Sequence, residues 1–243
     1  MEQAKAEILA QLQKDILSLQ GLKKTGNRGI DIGWGSVDNA FPDQSFPVAA
    51  IHEFISSSSE DKAASTGFVS GILSALMKEG GYCVWISSSR TVFPPALKLF
   101  GVQPDKVIFV DVKKDKDVLW ATEESLKCTG LACVVAEIAD LGFNASRRLQ
   151  LAVEQSRVTG FIVRDQPRKL SITASVTRWK ITSIPGIAKD NLPGLGYPRW
   201  QVDLEKVRNG KPSSWQLEWI SGKFRNSSGV ITSIPSFQKR KVV

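Results

Sequence analysis

Hydrophobic and polar positions along this chain follow two rhythms. From residue 48 to 165, short runs that are apolar at nearly every position (48–55, 82–87, 106–112, 131–138 and 160–164) alternate with stretches of helical spacing (65–79, 94–100, 117–129 and 145–156). Runs apolar on both faces mark strands inside a parallel sheet, and the stretches between them have the period of amphipathic helices. The expectation is a doubly wound α/β domain, its sheet mostly parallel, with helices on both faces. The first long helix opens near Lys62, buries Phe68, Val69, Ile72, Leu73, Leu76 and Met77, and stops at Gly80-Gly81.

After residue 165 the rhythm changes. Residues 172–184, 199–207 and 214–220 are strand-like runs with no helix between them, and Asn209-Gly210-Lys211-Pro212 is a turn signal between the last two. These predict an antiparallel C-terminal extension of the same sheet. From Ser221 onward the sequence is polar and ends in Lys239, Arg240 and Lys241, which predicts a flexible basic tail over 221–243. At the other end, residues 2–24 place Ile8, Leu9, Leu12, Ile16 and Leu19 at helical spacing. That stripe docks either on its own domain or on a neighbouring subunit or partner. Residues 21–47, rich in Gly, Asp, Asn and Pro with scattered Trp34, Phe41 and Phe46, are expected to be an irregular connector. The expected division is therefore 1–47, 48–220 and 221–243.

The first strand, the serine-rich turn after it and the helix that follows have the layout of a phosphate-binding loop. Such a loop needs GxxxxGK[ST]: glycines let backbone amides close on phosphates, the lysine reaches the terminal phosphates, and the hydroxyl holds magnesium. Laid over residues 56–63, the pattern keeps only Lys62, with Ser56 and Asp61 at the glycine positions and Ala63 at the hydroxyl position. Glu60 and Asp61 would repel a polyphosphate at short range. The same residues also make a solvated turn with a good helix start. Lys62, Ser59 and Glu137 are the candidate remnants of a nucleotide site; Glu137, at the end of the 131–138 strand, is a metal-organising carboxylate or an ordinary polar terminus.

Two basic groups are candidates for contact with other molecules. Arg164, Arg168, Lys169, Arg178 and Lys180 fall at or beyond the carboxyl end of the Phe161 strand and on the strand after it, a candidate nucleic-acid surface with Trp179 available for stacking. Strand alternation sends Trp179 to the face opposite Arg178 and Lys180, which favours a core tryptophan. Lys239, Arg240 and Lys241 are the candidate partner-binding group, for phosphate or an acidic protein patch. Arg147 and Arg148 open a helix, where the dipole disfavours cations, and are expected to pack over the sheet edge or meet a carboxylate. His52, the only histidine, has no nucleophile beside it in any motif and is expected to be a satisfied core residue.

Composition narrows this further. The 243 residues carry a formal net charge of +8 with a pI near 9.4, which favours nucleic acid or an acidic protein as partner over neutral surfaces. Hydrophobic content of 42% and charged content of 23% are those of a globular protein. Cys83, Cys128 and Cys133 are too few and too unevenly spaced for a disulfide frame or a zinc site, which fits a reducing compartment. No apolar run approaches a membrane span, and the N-terminal stretch is a polar helix rather than a signal peptide, so a cytoplasmic location is expected.

Several phrases carry a family resemblance: AAIHEF (49–54), DKDVLWATEESLKC (115–128), FNASRRLQLAVEQSRVTGFIVR (143–164), ASVTRWKI (174–181) and GYPRWQVDLEKVRNGKPSSWQLEW (196–219). In their order and spacing they resemble the ImuA family, RecA/SulA-related accessory proteins of damage-induced mutagenesis. The resemblance implies a RecA-like core, a nucleoid-associated place in the DNA damage (SOS) response, and two partners: an ImuB-like Y-family polymerase homologue and a DnaE-type polymerase. The chain would be the adaptor of a translesion-synthesis assembly and not its polymerase. It departs from the RecA ATPases where they carry a catalytic glutamate, having Ser87, Ser88, Ser89 and Arg90 there, and its loop after the Phe161 strand is cut short. With loop glycines, metal hydroxyl and base missing, no enzyme activity and no cofactor are expected. A DNA-dependent ATPase using ATP and magnesium and a SulA-like division inhibitor are the alternatives; self-association is left open.

Overall fold

The computed structural model describes residues 30, 32–78, 80–186 and 196–227. The expected N-terminal helix over 2–24 and the basic residues Lys239, Arg240 and Lys241 lie outside them. Among the described residues one sheet of nine strands runs through the molecule. Its strands are β1 (Ile51–Ser56), β2 (Tyr82–Ser87), β3 (Val107–Asp111), β4 (Leu131–Glu137), β5 (Thr159–Asp165), β6 (Thr177–Ile184), β7 (Arg199–Val207), β8 (Ser213–Ile220) and β9 (Lys223–Asn226). Three α-helices accompany it among the same residues: α1 (Ser59–Leu76), α2 (Asp115–Leu126) and α3 (Phe143–Ser156). The strand order is β3-β2-β4-β5-β1-β6-β7-β8-β9. Pairing is parallel from β3 through β6 and antiparallel from β6 through β9. This is a RecA-like α/β architecture with the antiparallel extension that the change of rhythm predicts.

Side-chain alternation divides the sheet into two faces. His52, Phe54, Phe161, Val163 and Trp179 share one face with α1, while Ile51, Ile86, Val134 and Ile162 share the other with α2 and α3. The helix α1 lies close against the far end of the sheet, because a Cβ on Gly71 would stand 2.6 Å from the Phe224 ring and 2.9 Å from Trp219. The turn between β7 and β8 is fixed in the same way. A Cβ on Gly210 would meet the Ala40 carbonyl at 2.3 Å, and the Lys211 amide bonds to that carbonyl at 2.9 Å.

Two expectations about the ends are corrected. Ile32 to Phe46 is irregular, with a 3-10 helix at Gly35–Ala40, but its aromatics belong to the core: Trp34, Phe41 and Phe46 are buried. Trp34 alone packs 5.3 Å from Phe46 and 5.7 Å from Phe68, Trp179 and Phe224, centroid to centroid. Scattered aromatics without periodicity give no sign of a shared core, since their convergence is tertiary. The expected polar tail likewise begins too early. One more strand follows Ser221, for β9 pairs with β8 and buries Phe224.

Smaller shifts have local causes. The first strand starts at Ile51 and not at residue 48, after Ala49 in a left-handed conformation (φ 54°). The helix α1 opens three residues before Lys62, capped by the Ser58 side chain, and ends at Leu76 ahead of the glycine pair. Residues 172–176, expected in a strand, belong to the loop before β6.

Candidate functional site

In a parallel sheet all carboxyl ends point one way, so β1, β4 and β5 deliver Ser56, Glu137 and Asp165 to the same edge, next to the amino end of α1. There the Lys62 ammonium sits 2.8 Å from Glu137 Oε2 and 3.3 Å from Asp165 Oδ2. The Trp85 indole N–H, arriving from β2, donates to Glu137 Oε1 at 2.9 Å and fixes the carboxylate. Glu137 is almost fully buried and Lys62 is half-buried. Burial works to lower the Lys62 pKa, but the hydrogen bond and charge of Glu137, followed by those of Asp165, outweigh it and hold the pKa above the ordinary lysine value. The lysine is a fixed cation clasped by two carboxylates.

The turn before it is closed as well. The Ser58 hydroxyl accepts the Asp61 amide at 3.1 Å, and the Asp61 carboxylate accepts the Ser57 amide at 3.1 Å. A helix amino terminus attracts an anion, and here the anion is the protein's own Asp61, itself buried. Ser59 is exposed at the first helical position, and the cap is the Ser58 side chain. Ser56 turns inward instead, its hydroxyl 3.2 Å from that of Ser65. Of the candidate remnants, the fold thus brings Lys62 and Glu137 together and leaves Ser59 apart. Asp165 is the member that sequence reasoning passed over, although it directly follows the apolar GFIVR run and so stands at the same edge.

The candidate nucleic-acid residues separate into two kinds. Arg164 is fully buried: its guanidinium donates to Glu53 Oε1 at 2.7 Å, to the Ala139 carbonyl at 3.1 Å and to the Lys169 carbonyl at 3.0 Å. Arg178 donates to Glu53 Oε2 at 3.0 Å and to the Ser171 carbonyl at 2.8 Å, while the Thr173 hydroxyl donates to Glu53 Oε2 at 2.8 Å. Arg164 serves the interior and has no surface to offer a phosphate, which corrects its expected place on a nucleic-acid surface, while Arg178 is half-buried with its guanidinium committed to Glu53 and Ser171. Their signal was Glu53, a carboxylate inside the apolar run AAIHEFI, since a buried charge demands partners. Arg168 and Lys169 are exposed on the loop that this network holds. Lys180 lies on the same sheet face as Arg178, opposite Asp203 of β7. Trp179 is fully buried, as alternation predicts.

Three further residues have the places their surroundings call for. His52 is buried, its Nε2–H donating to the Pro47 carbonyl and its Nδ1 paired with the Thr177 hydroxyl, both at 2.8 Å; the Trp179 indole N–H donates to the same hydroxyl at 2.7 Å. Burial pushes the His52 pKa down to about 3 against the bond to Pro47, so the ring is neutral. Arg148 meets the Glu123 carboxylate of α2, and Arg147 is exposed. Among the described residues no cluster of His, Cys, Asp or Glu is arranged to hold a metal ion, and no helix is long and apolar enough to cross a membrane.

No family model matches the chain. Protein ImuA of Caulobacter vibrioides NA1000 / CB15N is 32% identical to it over 201 residues, covering 78% of this chain and 82% of the relative. The Protein ImuA of the Caulobacter vibrioides strain ATCC 19089 / CIP 103742 / CB 15 matches to the same extent. With that identity sustained over most of both sequences, the chain belongs to the ImuA family.

Proposed function

We propose that this protein is a non-polymerase adaptor of an error-prone translesion-synthesis assembly in the DNA damage response, acting by holding other proteins. Kinship with ImuA supports the place in damage-induced mutagenesis. The observation that carries the adaptor role is the closed state of the nucleotide edge. Lys62 is clasped by Glu137 and Asp165, Asp61 covers the amino end of α1, and Ala63 stands where a magnesium-binding hydroxyl is needed. Magnesium and a polyphosphate would have to pull the lysine away from both carboxylates and displace a third, so these residues do not fit that cofactor. The partners on this reading are an ImuB-like Y-family polymerase homologue and a DnaE-type polymerase, and a nucleoid-associated location follows from them.

One observation favours a second reading, a RecA-type DNA-dependent ATPase: Lys62 and Glu137 stand at the loop and strand end where such enzymes keep their lysine and carboxylate. Phosphate release measured with and without single-stranded DNA, alongside co-purification of the two polymerases with the full chain, separates the readings. An adaptor captures the polymerases and releases no phosphate above the no-protein rate. Turnover that is stimulated by DNA and abolished by Lys62→Ala establishes the ATPase instead. Capture of the tubulin-like division protein in place of the polymerases establishes a SulA-like inhibitor.

A further inference from the structure

The loop between β5 and β6, residues 166–176, is anchored far more heavily than its sequence requires. From below, the guanidiniums of the buried Arg164 and the half-buried Arg178 hold the carbonyls of Lys169 and Ser171. From the side, the Arg168 amide bonds to Asp140, the Ser171 hydroxyl to the Leu141 carbonyl and the Ala174 amide to the Ser146 hydroxyl. From β7 and the turn after it, Lys206 and Arg208 donate to the carbonyls of Thr173 and Ala174. The backbone is tied on three sides, and what it displays outward is unusual. Leu170 is 54% exposed and Ile172 80% exposed, beside the exposed side chains of Arg168 and Lys169. Phe143, 47% exposed, opens α3 between the two anchor points at Leu141 and Ser146, with Arg147 one turn further on.

We propose that this loop is a pre-ordered protein-docking surface whose occupant is an acidic protein segment carrying apolar side chains; the proposal rests on the adaptor reading and names the site of that role. Exposed apolar side chains held on a rigid backbone cost little ordering on binding, which is where affinity is gained. The charge is complementary to an acidic partner. Residues 166–172 contain Arg168 and Lys169 and no carboxylate, and the flanking carboxylates already face cations of the protein, Asp140 meeting Arg164 at 4.0 Å and Asp165 meeting Lys62 at 3.3 Å. Nucleic acid fits less well. Two of the three exposed apolar side chains are aliphatic and offer no π-face to a base, and the two arginines beneath them are consumed by Glu53.

The test uses the full chain and two probes, the purified ImuB-like polymerase homologue and a fluorescein-labelled oligothymidylate. Leu170→Glu combined with Ile172→Glu is expected to weaken polymerase binding about tenfold or more with oligothymidylate binding unchanged. Arg168→Glu combined with Lys169→Glu is expected to weaken polymerase binding and flatten its salt dependence, and it decides the matter if the first pair lowers the melting temperature. Polymerase binding that survives both pairs overturns the proposal. So does loss of oligothymidylate binding alone, which would make the loop a DNA contact, and so does loss of self-association alone in sedimentation, which would make it a contact between copies. A wild-type chain that binds no polymerase overturns the adaptor reading and this proposal together, an outcome distinct from binding that the variants retain.

Discussion

Lys62 is the residue on which the functional reading turns, because one ammonium bridges two carboxylates that converge from different strands. Lys62→Ala leaves Glu137 buried beside Asp165 with no cation, and urea unfolding should show a loss of about 1–3 kcal/mol. Pairing Lys62→Met with Glu137→Gln removes both charges and keeps an oxygen for Trp85. Most of the loss should then be recovered, and an additive double mutant would show the pair to be uncoupled. His52 gives a second expectation, in pH. Its folded pKa of about 3 lies below the unfolded value of 6.5, so its contribution is complete above pH 6.5 and is lost as pH falls from 6.5 toward 3. Below pH 6.5 the slope approaches about 1.4 kcal/mol per unit, and His52→Gln should flatten it. The sequence placed Lys62 and Glu137 in one candidate site as remnants of a common pattern. Their direct ion pair and the part played by Asp165 were not legible, since which strand ends meet depends on strand order.

At the next level up, the loop after β5 shows how a buried charge organises a segment that has no secondary structure of its own. Glu53 takes bonds from Arg164, Arg178 and Thr173, and the two arginines reach on to the loop carbonyls. Glu53→Ala therefore leaves a buried guanidinium without its counter-charge, with an expected cost of about 3–5 kcal/mol. Where the variant remains folded, hydrogen exchange and limited proteolysis should localise the loosening to residues 166–176. Uniform loosening across the sheet would contradict this role. The sequence pointed to the arginines and to the loop but assigned them to nucleic acid, because strand alternation fixes only which face a side chain takes. That Glu53 occupies the same face follows from the parallel register with β5 and β6, which no local pattern displays.

Across the fold as a whole, periodicity carried the parallel half and the antiparallel extension, since both depend on runs that are continuous in sequence. It missed what the two flanks contribute: Trp34, Phe41 and Phe46 on one side and β9 with Phe224 on the other enter a single aromatic core with α1. Their short, irregular segments owe their structure to the apolar area they bury and not to local propensity. The resulting molecule keeps a RecA-like frame in which Lys62, Glu137 and Asp165 close the strand-end edge beside α1 on one another, and on the proposed reading it acts through surfaces. Calorimetric titration of the full chain with magnesium and ATP tests that most directly. The closed edge predicts no saturable binding tighter than about 1 mM, in wild type and Lys62→Ala alike. Saturable, magnesium-dependent binding in the micromolar range that Lys62→Ala abolishes would contradict it.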